Sequence, residues 1–206
     1  MADAMTHGAY KACARGAVAL DTADTTSLDG VLGIPCTFRD IDSSSTAKIK
    51  PKRSGAVTTG MLVRNVSGIA LLPGRIVAWK TGKRYKEVDG YTTATAAEAA
   101  GVVDEHLPTS GAAANAIFWI FGKGPHLVLT DLTGDTDTNF SNGAVLAAIT
   151  AVSSQSTTSG RMREADHTGA TALLADMIRN EIGIAMSANT TGQTNRKVLV
   201  DLRIWK

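Results

Sequence analysis

An acidic stretch in the second half of the chain, DLTGDTDTNFSNG, has the spacing of oxygen ligands that could hold a calcium ion. Asp135, Asp137 and Asn139 alternate as the first three ligands of a calcium-binding loop do. The match ends there, because Phe140 stands at the sixth position, where glycine is needed, and Leu146 at the twelfth, where a bidentate glutamate is needed. We interpret the stretch as a polar connection, with a surface calcium ion as the alternative, and predict no metal site.

Residues that could catalyse a reaction are scattered rather than grouped. The histidines stand singly, and no GxSxG segment marks a serine nucleophile. No GxxxxGK segment followed by Ser or Thr is present to bind phosphates, and the cysteines form no CxxC pair. The residues concerned are His7, His106, His126, His167, Cys13 and Cys36. We therefore predict no enzymatic activity and no cofactor.

One basic cluster, in the segment KIKPKR, could bind a partner. It can be a solvated linker, or it can bind an acidic protein surface or a nucleic acid. Aromatic residues that would stack on bases are absent from it, which disfavours nucleic acid. We predict no nucleic-acid binding. We predict instead that the cluster and three apolar residues bind a partner protein, with a lid over the core as the alternative role for Trp205. These residues are Lys48, Lys50, Lys52, Arg53, Ile34, Phe38 and Trp205.

Composition favours a mainly β protein that folds without disulfide bonds or structural metal ions. The chain has 206 residues, of which 44% are apolar and only 19% charged, while Gly, Ala, Thr and Ser are abundant. The net charge of +2 does not indicate a polyanionic partner. The longest apolar runs are about half of the roughly 20 residues that cross a bilayer, so we expect no membrane span. The first residues lack a basic stretch followed by an apolar core, so we expect the protein to stay inside the cell that makes it.

The elements follow from the rhythm of apolar residues. Residues 1–56 show no sustained period and predict an extended arm, whose apolar anchor is VLGIPCTF at 31–38. From residue 57 onward, runs of about five apolar residues alternate with turn residues, which predicts antiparallel strands. The segment RIVAWK is apolar on both faces and predicts a strand buried on both sides. Turns are expected at residues 72–74 and 122–124, and helical spacing predicts one helix at about 169–181.

Four segments recur in the same order in the two halves of the chain. Pro73 and Gly74 followed by RIVAW match Asn142 and Gly143 followed by AVLAA. Downstream, RYKEVD matches RMREAD, AAGVVDE matches EIGIAMS, and HLVLTDL matches KVLVDLRI. We therefore predict a β-barrel or sandwich at 57–206 that is built from two related β-units, at about 57–132 and 140–206.

This order of segments resembles the β-barrel pattern of tailed-phage head decoration proteins, also called capsid cement proteins. The resemblance covers about residues 57–206 and rests on the glycine turns, the RYKEVD and RMREAD return strands, the segments AAGVVDE and EIGIAMS, and the closing KVLVDLRI strand. It implies a non-enzymatic virion protein, assembled in the host cytoplasm, that binds the major capsid protein on the outer surface of the head, with a homotrimer as a further expectation. A minor capsid or tail component is the alternative, and a carbohydrate-binding β module is a more distant one, since it needs exposed aromatic residues in a groove.

Overall fold

The computed structural model describes residues 30–39, 56–90, 98–130, 139–148, 160–165, 180–190 and 196–205. Within these ranges the chain is mainly β, as the composition predicts. The strands are β1 (Pro35–Arg39), β2 (Val57–Asn65), β3 (Ile76–Trp79), β4 (Glu87–Asp89), β5 (Ala99–Val103), β6 (Ile117–Leu129), β7 (Val145–Ala148), β8 (Met162–Glu164), β9 (Glu181–Ala185) and β10 (Lys197–Arg203). They form one ten-stranded sheet. In the part of the chain described, no helix is long and apolar enough to span a membrane.

Five of the strands pair in a closed circuit, which we call the first ring. β2 pairs in parallel with β4, and antiparallel pairings then lead from β4 through β3 and β5 to β6. β6 pairs in turn with β2, so the circuit returns to its first strand. Each of the five strands thus has a partner on both sides, and the part of β2 that extends beyond its pairing with β4 pairs with β1. The pairings of the first ring therefore fix the positions of the side chains at its open end.

Strands β7 to β10 repeat this order of pairings, starting from the second half of β6. That half pairs antiparallel with β10, which leads through β9 and β7 to β8. An isolated parallel bridge from Thr130, just after β6, to Met162 in β8 stands where the parallel pairing stands in the first ring. We call these strands the second set. Thus β6 is the last strand of the first ring and the first strand of the second set.

Three of the four sequence matches fall on corresponding strands of the two sets, namely β3 with β7, β4 with β8 and β5 with β9. The fourth does not. HLVLTDL opens the second set as part of β6, whereas KVLVDLRI closes that set as β10. The strand that closes the first ring, and so corresponds to β10, is the first half of β6.

The prediction of a turn at residues 122–124 is wrong, because these residues lie inside β6. A methyl group at Gly122 would overlap the indole of Trp205, and one at Gly124 would overlap the backbone of Val57. Gly124 also has a φ of 87°, which only glycine adopts without strain. The two glycines therefore allow close approach of other groups to a continuous strand, which is a different use of glycine from the turn at Gly74.

Alternate side chains of the ring strands enter two different apolar cores. Val77 and Phe118 belong to a cluster that draws on all five strands of the first ring and fills its interior. Ile76 and Trp119 face the other way, into a cluster that also contains side chains of β7 to β10 such as Leu146. All four residues of β3 are buried, which confirms the prediction for RIVAWK. The second set thus packs on the outside of the first ring and shares a core with it.

The apolar anchor of the predicted arm is part of the sheet. β1 pairs antiparallel with β2, and the ring of Phe38 lies edge-on to Trp119, with 5.0 Å between ring centroids. Leu32, just before β1, is buried in the shared core. Residues 1–29 and 40–55 of the predicted arm lie outside the described residues, as do residues 169–179 of the predicted helix. Glu181, the last residue of that helix prediction, is the first residue of β9, so the helix does not reach it.

A buried amide organises the loop that follows β2. Asn65 is fully buried, and its Nδ2 donates to the carbonyl oxygens of Ile69, Ala112 and Ala113 at 2.7 to 3.0 Å. Its Oδ1 accepts from the backbone N–H and the hydroxyl of Ser67. The Asn65 side chain therefore joins the loop after β2 to the segment before β6 by hydrogen bonds to their buried backbone groups.

Candidate binding cleft

A cleft of about 660 Å³ opens beside the first ring, and we call it the aromatic cleft. Its walls come from five places in the sequence: β1, β2, the end of β3 with the following turn, the start of β5, and the residues after β10. Its lining includes Pro35, Met61, Trp79, Tyr85, Ala99 and Trp205, together with the charged residues Arg84 and Glu98. Three of these residues are aromatic, in a chain with only 5% aromatic residues.

Trp205 is held in the cleft wall by two strands of the first ring. Its indole Nε1 donates to the carbonyl oxygen of Ala100 at 2.7 Å, and its backbone N–H donates to the carbonyl oxygen of Gly122 at 3.1 Å. The indole lies directly over Gly122, where any side chain would collide with it. The ring is partly buried against the interior core of the first ring. Trp205 therefore presents a fixed aromatic surface to the cleft.

Tyr85, unlike Trp205, is held by an exposed turn, which lies between β3 and β4. Its backbone adopts a φ of 70°, rare for a non-glycine residue, and Gly33 packs so closely against its backbone that a side chain there would overlap it. The Tyr85 ring lies 5.4 Å from the Trp79 ring, centroid to centroid, at a tilt of 59°. Half of Tyr85 remains exposed, at 50%. The strained turn thus places a large aromatic ring at the surface.

The charged residues of the aromatic cleft form a neutral pair. Arg84 Nη2 donates to Glu98 Oε1 at 2.6 Å, and the Arg84 guanidinium also lies over the Tyr85 ring at 5.1 Å from its centroid. Both side chains are about half exposed, at 53% and 46%. An exposed pair of this kind adds little stability, because water screens it. Its polar atoms are nevertheless ordered beside the aromatic rings.

A second hollow, of about 540 Å³, lies on the other side of Trp205. Its lining includes Val57 and four charged residues, Lys123, Glu181, Asp201 and Arg203. The three large apolar side chains that are most exposed in the described chain all adjoin these two hollows: Val57 and Tyr85 line them, and Ile34 lies between two lining residues of the aromatic cleft. Clustered exposed apolar residues mark binding surfaces more often than scattered ones do.

A second group of ionisable residues lies near the end of β5 and does not belong to the lining of either hollow. Glu105, almost buried, accepts a hydrogen bond from the backbone N–H of Leu127 at 3.0 Å. His126 is fully buried, stacks on Phe121 and lies 3.3 Å by Nε2 from the carbonyl oxygen of Val103. These contacts tie β5 to β6. No group of three or more His, Cys, Asp or Glu side chains in the described ranges could hold a metal ion.

Two buried arginines lie where the first ring meets the second set. Burial, and then the nearby charge of Arg161, lower the pKa of Arg75 below its usual value. Arg161 donates by Nη1 to the carbonyl oxygen of Thr130 at 2.9 Å, and the neighbouring Gly160 carbonyl accepts from the backbone N–H of Ile76. This junction links the two sets of strands through charge-assisted and backbone hydrogen bonds.

The predicted partner-binding residues have different positions. Trp205, partly buried, lines the aromatic cleft, and Ile34, exposed, lies in sequence between two of its lining residues, whereas Phe38 packs on core aromatic rings. The basic cluster at residues 48–53 lies outside the described residues. So do Asp135 and Asp137 of the calcium-like stretch, of which Asn139 is described and partly buried.

Sequence reasoning missed Tyr85, Arg84 and Glu98. The available signal was an aromatic residue among charged ones in the polar stretch GKRYKEVD. An aromatic residue among charged ones is a candidate for an exposed side chain that binds a partner or ligand.

Comparison with known proteins adds no family. No family model and no curated protein matches this chain.

Proposed function

We propose that the chain is a non-enzymatic virion protein that binds the outer surface of a phage head and stabilises the lattice of the major capsid protein. The observation that carries the proposal is the repeated order of strand pairings. Of the segments that carry the resemblance to head decoration proteins, the glycine turns precede β3 and β7, the return strands contain β4 and β8, and AAGVVDE and EIGIAMS contain β5 and β9. In the same proposal each set of strands is a small barrel, and the two are fused through β6.

The shared core suits a protein that resists strain in a shell. β1 and strands of both sets contribute to one apolar cluster, so a load on one set is passed to the other through close-packed side chains. Copies placed at symmetric positions repeat one contact many times, so each contact can be modest while the lattice gains firmness. A homotrimer on the head surface is part of the proposal.

Ile34 and the basic residues at 48–53 are the proposed contacts with the capsid. Ile34 is 49% exposed just before β1, where apolar surface is available to a partner. Contact areas of roughly 1,200 to 2,000 Å² in total are ordinary for stable protein interfaces. The basic residues would complement an acidic patch on the shell and speed association.

The test is co-expression of the chain with the major capsid protein encoded in the same genome, followed by sedimentation of the assembled shells. We expect the chain to sediment with shells at a fixed ratio and to raise their melting temperature. Ile34→Asp should weaken the attachment, whereas Ser141→Asp, which adds the same charge in an exposed turn before β7, should not. A chain that stays in the supernatant would refute the proposal, and immunogold labelling of tails would favour a tail component.

A further inference from the structure

The aromatic cleft has a composition that a shell-binding surface does not require. Its volume of about 660 Å³ lies within the range of roughly 300 to 1,000 Å³ that small-ligand sites occupy. We propose that it binds an uncharged saccharide, which stacks on Tyr85 and Trp205 and forms hydrogen bonds with Arg84 and Glu98. Binding of the saccharide does not require attachment to a capsid, although Ile34, the proposed capsid contact, lies between Gly33 and Pro35 of the cleft lining.

The aromatic rings supply the stacking surface. One face of a sugar ring carries mainly C–H groups, and such a face gains free energy when it covers an aromatic ring and leaves water. Trp205 is locked in place by its bonds to the first ring, and Tyr85 is half exposed, with the Arg84 guanidinium over one face of its ring, so the sugar stacks on the other face. Because both rings are already held by the backbone contacts described above, binding costs little additional ordering of the protein.

The neutral charged pair supplies the polar contacts. Each sugar hydroxyl is both a donor and an acceptor, so neighbouring hydroxyls can accept from the Arg84 guanidinium and donate to the Glu98 carboxylate. The ion pair at 2.6 Å involves one nitrogen and one oxygen, which leaves other polar atoms of two half-exposed side chains near the ligand. An anionic ligand would meet Glu98 and a cationic one Arg84, so the pair favours an uncharged ligand.

A proline-rich peptide is the competing ligand, because it also docks in aromatic grooves. The carbonyl groups of such a peptide can accept from Arg84, but its proline residues have no N–H to donate to Glu98, whereas saccharide hydroxyls can serve both partners. An extended peptide could instead add to a strand edge. Of the strands that line the cleft, β2, β3 and β5 are each paired on both sides, and only β1 is an edge strand of the described sheet. The geometry therefore favours a saccharide.

The experiment uses the full chain, labelled with nitrogen-15, and follows the indole N–H signal of Trp205 during titration. The probes are maltotriose, cellotriose, the trimer of N-acetylglucosamine, N-acetylneuraminic acid as an anionic control, and decaproline. We expect at least one of the neutral saccharides to shift the signal with a Kd on the order of 1 mM, and the anionic sugar to bind at least tenfold more weakly.

Variants separate binding in the aromatic cleft from binding elsewhere. Tyr85→Asn removes the ring but tolerates the positive φ, and should raise the Kd at least tenfold. Glu98→Gln, at an exposed position, should also weaken binding and keeps the test decisive if Tyr85→Asn does not fold. Val57→Ala, in the second hollow, should leave the Kd within about twofold, which is about 0.4 kcal/mol.

Three results would overturn the proposal. The first is no shift with any neutral saccharide at about 20 mM, well above the expected Kd. The second is saturable binding of decaproline without binding of a saccharide. The third is saccharide binding that persists unchanged in both Tyr85→Asn and Glu98→Gln. Loss of saccharide binding in Tyr85→Asn with normal sedimentation on shells would support both proposals separately.

Discussion

The contact between Gly122 and Trp205 can be tested by a double-mutant cycle. Gly122→Ala places a methyl group where the indole lies, so the ring must move away or the strand must shift. Gly122 lies in β6 and its φ is not among the positive ones, so alanine itself fits the backbone. The expected cost therefore comes from overpacking, which typically lowers the free energy of unfolding by about 1–3 kcal/mol.

Removing the indole should cost a similar amount. Truncation of a fully buried tryptophan costs about 3–5 kcal/mol, and Trp205 is only partly buried, so about half of that applies. The lost hydrogen bond to the Ala100 carbonyl contributes about 1 kcal/mol more. We expect Trp205→Ala to lower the free energy of unfolding by about 3 kcal/mol.

In the double variant the cost of the methyl group should vanish, because there is no ring for it to meet. Alanine in a strand is even favoured over glycine by about 0.5–1 kcal/mol. The coupling free energy between Gly122→Ala and Trp205→Ala should therefore be about −2 kcal/mol. Lys123→Ala, at the exposed neighbouring position, should show no coupling with Trp205→Ala.

Urea unfolding followed by far-ultraviolet circular dichroism measures all these variants on the same scale. The midpoints should move while the slope with denaturant stays constant, since the surface exposed on unfolding is nearly the same. Additivity of the two substitutions within about 0.5 kcal/mol would refute the placement of Trp205 on Gly122. The aromatic cleft would then lose one of its walls.

Three further predictions concern stability. Asn65→Ala should lower the free energy of unfolding by about 2–4 kcal/mol in urea titrations, because the backbone N–H and hydroxyl of Ser67 lose their acceptor and three carbonyl groups each lose one of two donors; a cost below about 1 kcal/mol would contradict this. Gly183→Ala, whose methyl group would overlap the β10 backbone at a φ of 150°, should cost more in the same assay than Gly68→Ala, where the φ is 75° and the space is open; equal costs would contradict the close approach. Deletion of residues 1–55 should give a lower melting temperature than deletion of residues 1–29, because only the longer deletion removes β1 and its core contacts; equal melting temperatures would show that β1 adds no stability.

The strands were predictable because they are local patterns. β3 is apolar at every position, and the structure buries all four of its residues between two cores. The turn at Gly74 was also predictable, since Pro73 and Gly74 together favour a turn and Gly74 adopts a positive φ. In each of these cases the residue's own neighbours in sequence determine the conformation.

Where the outcome depends on distant residues, the sequence pattern was misleading. Gly122 and Gly124 have the composition of a turn, yet they serve close contacts with Trp205 and Val57 from other parts of the chain. The segment around Phe38 has no sustained alternation, and it becomes a strand because β2 offers an edge and two aromatic rings offer contacts. Neither partner is visible within a short window of sequence.

The aromatic cleft could not be predicted for the same reason. Tyr85 and Trp79 are close in sequence, but Pro35 and Trp205 reach the cleft only through the pairing of β1 with β2 and of β10 with β6. Tyr85 is exposed, and a lone exposed aromatic residue has no periodic signature. The chemistry of the site therefore emerges from the topology rather than from any motif.

The position of Trp205 gives the repeat of strand pairings a physical consequence. This residue follows β10, the last strand of the second set, yet it caps the first ring by bonding to Ala100 and lying on Gly122. β10 can deliver it there because β10 pairs with β6, the strand that both sets share. The wall of the aromatic cleft therefore exists only when both sets are folded, and the second set acts on the first by completing its mouth as well as by covering its outer face.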